Sequence, residues 1–397
     1  EEVLGVKRVG ITDNFFNIGG HSLFATQVIS RIRKSFKIDI PLRALFESPS
    51  IRFLIQQIIN NQANKITTSL PEVVPNIKDR NNPFPLSEVQ QAYLLGRTEA
   101  FELNKVTTHE YAEYDFDNLN IMRLEKAWNV LIQRHEALRI VFDRDLQQRI
   151  LPNVPYYTMD VLDLRNEDDD YVREKLEEIR QEHSHEVLPA DRWPLFVLKV
   201  TLYGKKIRLH ISVDAIIMDA WSSAIVFSEL DQLYKDIDRK LDCLELSFRD
   251  YIITLETIYK TEFYRQHKQY WLDRLNNFPF APKLPLKPQA VKLSKQKFSR
   301  CTYALDKALW YKLKTNIKDK KLIPSAFLLS IYSEVLSKWS DNTNFAINLT
   351  LFNRLPLHAQ INRIVGDFTS LLLLEVNHSY NSNFLQRTQK LQAKLLQ

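Results

Sequence analysis

Two aspartates at the end of an alternating apolar stretch are the first residues with catalytic potential. Asp214 and Asp219 stand five positions apart in the string LHISVDAIIMDAWSS, which begins at residue 209. Two carboxyl groups whose pKa values diverge can serve as acid and base in one site. Proton transfer is therefore one hypothesis for this pair, and structural support is the other.

The residues around the pair supply the structural alternative. Asp219 precedes the helical string AWSSAIVF, where an aspartate commonly caps the first turn and Ser222 would complete the helix start. Asp219 is also a candidate partner for Arg354 in a buried ion pair that joins two parts of the fold. We favour scaffolding for Asp219. For Asp214, catalysis and the holding of a loop through backbone N–H bonds both stay open.

A second polar cluster lies in the string GDFTS at residues 366–370, which is expected to follow a helix and precede a buried strand. Asp367, Thr369 and Ser370 either line a channel or make the local hydrogen bonds of a turn. Gly366 is expected to adopt a positive φ. His135, in QRHEALR, is expected to be a packed helix residue and not a base.

Ser22 follows two glycines in the string NIGGHSL, directly before a helical apolar pattern. On residue types alone, an N-cap is the simpler interpretation, because the hydroxyl would satisfy a free backbone N–H. His21, as a lone histidine beside it, is expected simply to face solvent on residue type alone.

Length and composition bound the framework that positions these residues. The 397 residues exceed one ordinary core, so two or three folding units are expected. Hydrophobic residues make up 45% and charged residues 26%, as in globular proteins, and no apolar run could cross a bilayer. Cys243 and Cys301 are expected to be buried thiols in a reducing, cytoplasmic setting. The nine histidines lack metal-ligand spacing, so no metal site is predicted.

The positive charge is concentrated in one stretch of the chain. Net charge is +6, and residues 283–321 hold 12 Lys/Arg against 2 Asp/Glu. The apolar spacing of LDKALWYKLK within this stretch suits an amphipathic surface helix. We interpret the lysines as a solvated face and predict no nucleic-acid partner.

Apolar periodicity divides the chain into two units. Residues 1–62 show helical patterns and no strand signal, and residues 63–82 are polar and read as a linker. From residue 83 onward, strands such as HEYAEYDF, FVLKVTLY and KIRLHISV alternate with amphipathic helices, which predicts an α/β fold. The opening EEVLGV and the closing FLQRTQKLQAKLLQ are both helix-like, so a fragment of a multidomain protein is expected.

The first unit resembles a peptidyl carrier domain. The string DNFFNIGGHSLFATQVISRI is similar to the attachment motif of that family, and the likeness runs from Val3 to about Ile59. The resemblance implies a small four-helix bundle, with its first helix largely missing, in residues 1–62. It also implies that Ser22 carries 4′-phosphopantetheine, flanked by His21 and attached by a phosphopantetheinyl transferase. A hydroxyl on a tight turn is accessible to that enzyme, and the helix N-terminus favours the added phosphate, which His21 would contact unless it contacts a partner.

The second unit resembles the heterocyclization domains of nonribosomal peptide synthetases, relatives of condensation domains. The strings that carry the likeness are FPLSEVQQAYLLGR, RHEALRIVF, DAIIMDAWS, PSAFLLSIYSEVLSKWS and LTLFNRLPLHAQINRIVGDFTSLLLLEV, in family order. The family fold is two-lobed and similar to chloramphenicol acetyltransferase. It implies a first lobe in residues 83–245 and a second, incomplete lobe in residues 246–397. Further family motifs lie downstream, among them a threonine and an aspartate that promote dehydration, so the resemblance implies that this fragment lacks part of the dehydration apparatus.

The aspartates distinguish between branches of this family. The condensation signature is H-H-x-x-x-D-G, and on the same frame Asp214 takes the place of the first histidine, Ala215 the second and Asp219 the aspartate. The histidine credited with amide condensation is therefore absent, which favours the ring-forming branch. That resemblance makes Asp214, Asp219, Ser222, Asp367 and Thr369 the candidate catalytic residues, with Arg354 as the structural partner of Asp219.

The implied reaction joins a donor to a Cys, Ser or Thr on another carrier and closes a thiazoline or oxazoline ring. The implied partners are an upstream module, downstream adenylation and carrier domains, and a phosphopantetheinyl transferase, with neither nucleic acid nor membrane. Two alternatives remain: plain amide condensation, and a non-catalytic scaffold that docks carriers.

Overall fold

The computed structural model describes residues 1–20, 22–36, 40, 44–45, 49–61, 70–98, 107–143, 145–285, 301–378 and 382–395. His21 lies outside these ranges. The described side chains bury two large groups of apolar residues, one in the first unit and one in the second.

The first unit is helical, as the apolar pattern predicts. Helix α1 spans Ser22–Phe36 and helix α2 spans Ile51–Asn61. The start of the chain differs from the helical expectation, because the N–H groups of Leu4 and Val6 both donate to the carbonyl of Glu1 and form turns. Gly5, with φ +63°, takes the chain out of helical geometry there. The core of this unit comprises Phe15, Ala25, Ile29, Ile40, Ala44, Leu45, Leu54 and Ile58.

Part of the predicted linker packs against the second unit. Val73 is buried in the larger core, and its N–H donates to the carbonyl of Leu357 over 3.0 Å. The guanidinium of Arg80 pairs with the carboxylate of Glu136 over 3.0 Å. The segment 70–82 is therefore attached to the folded domain. Residues 62–69 lie outside the described part of the chain.

The second unit is mixed α/β, as predicted. Its strands are β1 (Phe84–Pro85), β2 (His109–Phe116), β3 (Ile140–Phe142), β4 (Gln147–Ile150), β5 (Asp160–Asp163), β6 (Phe196–Tyr203), β7 (Lys206–Asp214), β8 (Asn344–Phe352) and β9 (Thr369–Asn377). Its helices are α3 (Glu88–Gly96), α4 (Ile121–Arg134), α5 (Asp169–His183), α6 (Ala220–Lys235), α7 (Phe248–Ile258), α8 (Glu262–Arg274), α9 (Lys307–Asp319), α10 (Pro324–Trp339) and α11 (Phe384–Leu395).

A four-stranded sheet in the order β2-β7-β6-β5 forms the centre of the first lobe. Strand β7 lies between two antiparallel neighbours, and β5 joins β6 in parallel. Gly204, with φ +50°, makes the tight turn between β6 and β7. The register pairs Asp214 with His109, and Asp214 is the last residue of β7.

Helices α4 and α6 cover this sheet because each has one apolar face. In α4, the buried side chains recur at intervals of three and four positions: Leu124, Ala127, Trp128, Leu131 and Ile132. Asn120 caps α4 and Asp219 caps α6, each by accepting a backbone N–H bond in the first turn. A smaller antiparallel sheet in the order β1-β4-β3 lies beside them.

The second lobe contains the antiparallel pair β8–β9 with helices α10 and α11 packed on it. Its own core is small and comprises Phe345, Leu374, Val376 and Leu391. Helix α7 instead contributes Phe248, Tyr251 and Ile252 to the large core, together with residues 357–368. The site described below lies where these segments meet the end of β7.

Several details differ from the sequence expectations. Residues 358–363 form turns where a helix was expected, and the Arg354 guanidinium binds the carbonyl oxygens of Ile361 and Ile364. Cys243 and Cys301 are exposed, not buried, since both lie in irregular segments. Helices α3 and α7 and strand β5 were not predicted from the pattern. In the described part of the chain, no helix combines the length and apolar character needed to cross a membrane.

Candidate active site at the lobe junction

Asp219 connects the start of α6 to the polar loop before β9. Its Oδ1 accepts the N–H of Ser222 over 2.7 Å, which caps the helix as predicted. Its Oδ2 accepts the N–H of Phe368 over 3.2 Å, and its own N–H donates to the carbonyl of Gly366 over 3.2 Å. The carboxylate is therefore occupied by groups from both segments.

Arg354 completes this connection. Its Nη2 lies 3.2 Å from Asp219 Oδ1, with both side chains fully buried, so the predicted ion pair is present. Its guanidinium also stands over the Phe368 ring at 3.9 Å and the Trp221 ring at 5.3 Å, which are cation–π distances. Because its contacts come from the residues 354–368 segment and from α6, Arg354 holds the two together.

The Ser222 hydroxyl is fully engaged in the same network. It donates to the carbonyl of Gly366 over 2.8 Å and accepts from the Gly366 N–H over 3.1 Å and from Arg354 Nη2 over 2.7 Å. One donor and two acceptor positions exhaust what a hydroxyl offers. Ser222 consequently has no hydrogen-bonding capacity left for a substrate.

Gly366 is required here for space, and the expected positive φ is wrong. The positive-φ glycines of the described chain are Gly5, Gly19 and Gly204. A Cβ placed on Gly366 would lie 2.3 Å from the Phe248 ring, far inside van der Waals contact. The glycine thus lets the loop approach α7 closely enough for its backbone to bond Ser222 and Asp219.

Asp214 is held by a residue that the sequence analysis did not select. Arg97, directly after α3, places Nη2 2.6 Å from Asp214 Oδ2, and the two side chains are 10% and 2% exposed. Asp214 Oδ1 accepts the N–H of Ile216 over 3.1 Å, the loop-holding bond proposed above. Burial raises the pKa of Asp214, and the charge of Arg97 opposes that rise. Both oxygens of Asp214 therefore have partners.

Asp367 differs from the other aspartates because one of its oxygens has no partner. Its Oδ1 accepts the N–H of Thr369 over 3.1 Å, whereas Oδ2 is buried without a hydrogen bond among the described residues. Burial raises the pKa of Asp367 to about 7, and the nearby charge of Asp219 adds to the rise. At neutral pH this carboxyl group populates both protonation states.

Tyr93, on α3, lies near the same carboxylates. The negative charges of Asp367, Asp214 and Asp219 all oppose ionisation of its phenol. Burial is the main factor that raises the pKa of Tyr93 to about 12, so the phenol stays protonated. Tyr93 and Arg97 are four positions apart, which places them on one face of the helix. That spacing within AYLLGR was the available sequence signal for both residues.

The attachment region fits a phosphorylated group. Gly19 has φ +101°, and a Cβ on Gly20 would lie 2.4 Å from the Phe15 carbonyl oxygen, so only glycine permits this tight turn before α1. Helix α1 begins at Ser22 and has no acidic residue in its first turn, which leaves its N-terminal dipole free to favour an anion. The Ser22 side chain and His21 lie outside the described residues.

His135 is remote from this constellation. It is buried after α4, and its Nε2 lies 2.8 Å from Glu229 Oε2, consistent with the packed role expected for it. Among the residues that the structure describes, no group of three or more His, Cys, Asp or Glu side chains could hold a metal ion.

The fold and the site now define a class. A two-lobed α/β domain whose lobes are joined by a buried Asp–Arg pair occupies the second unit, and residues 82–397 match the family model of the condensation domain. Residues 1–58 match the model of the phosphopantetheine attachment site. The chain belongs to the condensation domain family and carries a phosphopantetheine attachment domain ahead of it, which confirms the predicted fold and family.

Three proteins with known names or structures are similar to this chain. Bacitracin synthase 1 from Bacillus licheniformis is 35% identical over 399 residues, covering 100% of this chain and 8% of that protein. Phenyloxazoline synthase MbtB from Mycobacterium sp. is 28% identical, covering 99% of this chain and 33% of that protein. The crystal structure of the EpoB NRPS cyclization-docking bidomain from Sorangium cellulosum is 33% identical, with a TM-score of 0.77 over 87% of this chain and 69% of that one. The chain thus spans a small part of the curated relatives.

Proposed function

We propose that this chain is a carrier and heterocyclization unit of a nonribosomal peptide synthetase. The donor acyl or peptidyl group is carried at Ser22. The second unit joins it to a Cys, Ser or Thr on another carrier and closes a thiazoline or oxazoline. The observation that carries the proposal is the buried Asp214–Arg97 pair at the end of β7, the position where a condensation signature begins with histidine.

Ser22 would hold 4′-phosphopantetheine, with the N-terminus of α1 facing its phosphate and His21 beside it. When bound, this group supplies a thiol that holds the donor as a thioester. The turn at Gly19 and Gly20 precedes the start of α1 at Ser22, where a modifying enzyme would reach the attachment residue.

Asp367 is the residue best suited to proton transfer in ring closure. Closure needs a base for the attacking thiol or hydroxyl and an acid for the departing oxygen. A single carboxyl group with a pKa of about 7 serves in both directions at neutral pH, and its Oδ2 has no competing partner among the described residues. Thr369 orients it through the bond to Oδ1.

Asp219, Ser222 and Arg354 hold this site together and do not perform the chemistry. Hydrogen bonds among these residues, and with Gly366 and Phe368, occupy the hydroxyl and both carboxylate oxygens. Their role is to fix Gly366 and Phe368, and thereby Asp367, relative to β7 and α6.

The partners follow from the same proposal. An upstream module would load the donor, and downstream adenylation and carrier domains would present the acceptor. A phosphopantetheinyl transferase would modify Ser22. The cytoplasm, where coenzyme A and aminoacyl adenylates are made, is the corresponding location. The family membership of both units supports these roles.

The first experiment tests the carrier assignment by mass. The chain is incubated with coenzyme A and a broad-specificity phosphopantetheinyl transferase, with Ser22→Ala as the matched control. We expect one phosphopantetheine adduct on the native chain and none on Ser22→Ala. An unmodified native chain, or an adduct that persists in Ser22→Ala, would overturn the assignment.

A further inference from the structure

Asp214 stands where the signature comparison suggests a catalytic group, yet its geometry leaves little for catalysis. Both oxygens have partners, Ile216 N–H at 3.1 Å and Arg97 Nη2 at 2.6 Å, and the side chain is 2% exposed. A general base must reach the proton that it abstracts. A carboxylate that is buried and bonded at both oxygens is instead well placed to hold its partner in position.

Arg97, by contrast, has hydrogen-bond donors that are not used by the described residues. Its guanidinium offers five N–H donors. Among the described residues two are engaged, Nη1 with the Leu188 carbonyl at 2.8 Å and Nη2 with Asp214. Its Nε–H is buried without a partner in that part of the chain. A buried donor left unsatisfied is costly, so it points to a ligand that completes it.

Asp367 supplies a complementary unsatisfied atom in the same region. Its Oδ2 is also buried without a partner among the described residues. The negative charges of Asp367 and Asp214 both act on Tyr93, one helical turn before Arg97. One donor and one acceptor suit a ligand that combines a carbonyl oxygen with an N–H or ammonium group. The reacting pair, an acyl carbonyl and an amine, has this combination.

We infer that Arg97 contacts the reacting carbonyl oxygen, and that Asp214 is the positioning residue that fixes Arg97. This inference rests on the proposed function. When the amine nitrogen adds to the thioester carbon, the C–N bond forms and the carbonyl π pair moves to oxygen, where Arg97 donates to the negative charge. The pair then returns, the C–S bond breaks, and the ammonium proton passes to the departing sulfur. Preorganised donors of this kind act mainly on the transition state.

The inference is tested by the rate of amide formation, counted as amide plus ring product, with a donor on Ser22 and a cysteinyl carrier as acceptor. Arg97→Met is expected to lower kcat about 100- to 1,000-fold, as the loss of an oxyanion donor does. Asp214→Asn keeps a neutral acceptor for Arg97. It is expected to lower kcat less than Arg97→Met does and to leave the pH profile unchanged.

Two further variants control for folding. Arg134→Met removes a comparably buried ion pair with Glu229, remote from the site, and is expected to keep the native rate. Arg97→Lys keeps Asp214 paired but removes the Nε–H and the planar fork, so we expect a rate at least about tenfold lower in folded protein.

The outcomes distinguish the role of Arg97 from the proposed ring-forming function. A native rate in folded Arg97→Lys overturns the inference. So does an Asp214→Asn variant that loses more activity than Arg97→Met or loses the acid limb of the pH profile. In both cases a ring product from the native chain leaves the proposed function standing. A native chain that makes only open amide overturns the ring-forming function, while the amide rates still decide the role of Arg97.

Discussion

Replacement of Asp219 by Asn isolates the buried ion pair at the lobe junction. The change keeps the size of the side chain and removes its charge, so Arg354, fully buried, loses its counter-ion. Asp219 also accepts the N–H bonds of Ser222 and Phe368, and a single amide oxygen cannot serve all three donors. Breaking one side of a buried pair costs about 3–5 kcal/mol. We expect Asp219→Asn to lower the free energy of unfolding by that amount.

Urea denaturation followed by near-ultraviolet circular dichroism measures this loss. Asp242→Asn is the matched control, because the Asp242–Arg363 pair has one nearly exposed partner and contributes about 0–1 kcal/mol. The double variant Asp219→Asn/Arg354→Met should lose less than the sum of its single variants by about 0.5–3 kcal/mol, since the two residues share one network. If Asp219→Asn costs no more than Asp242→Asn, the structural role of the pair is refuted.

Three further changes probe the packing and the buried titratable groups. Gly366→Ala should lower the free energy of unfolding by about 1–3 kcal/mol in urea titrations, because its Cβ would lie 2.3 Å from the Phe248 ring. Burial lowers the pKa of His210 to about 4, so the folded protein keeps the imidazole neutral at pH values where the unfolded chain protonates it. The contribution of His210 to stability is therefore complete above pH 6.5 and is lost as pH falls toward 4. His210→Asn should remove about 3 kcal/mol of that acid-induced loss of stability. Burial raises the pKa of Asp367 to about 7, so the folded protein keeps this carboxyl group protonated at pH values where the unfolded chain releases the proton. Its contribution to stability is therefore complete below pH 4 and is lost as pH rises through 7. Asp367→Asn should remove about 4 kcal/mol of the stability lost on raising the pH.

Each of these has a clear contrary result. A Gly366→Ala variant as stable as the native chain would show that α7 does not constrain the loop. Parallel stability–pH curves for the native chain and His210→Asn between pH 4 and 7 would contradict a buried neutral imidazole. Parallel curves for Asp367→Asn between pH 4 and 8 would contradict a carboxyl group that titrates near neutrality.

Local patterns predicted most of the framework. Strands β6 and β7 and helices α4 and α6 show clear apolar periods, and the Asp219 cap follows from a residue type next to a helical string. The Asp219–Arg354 pair was also predicted, as a buried ion pair joining two parts of the fold. These features depend on short-range sequence or on one strong chemical requirement.

The remaining features depend on contacts between distant segments. Arg97 and Asp214 are far apart in sequence, and only the end of α3 meeting the end of β7 brings them together. The need for glycine at residue 366 comes from the Phe248 ring on α7, a helix that was not predicted. Residues 358–363 form turns instead of the expected helix, and the Arg354 bonds to the Ile361 and Ile364 carbonyl groups there are contacts that no local propensity describes.

The most direct test of the central claim is the mass of the product released from this chain and a cysteinyl carrier. The chain is modified at Ser22, loaded with a simple acyl donor, mixed with the acceptor carrier, and the product is cleaved for mass spectrometry. A heterocyclization unit gives a thiazoline lighter than the open amide by one water, and the product disappears with Ser22→Ala. An open amide as the sole product would contradict ring formation, and the absence of any condensed product would contradict catalysis by this unit.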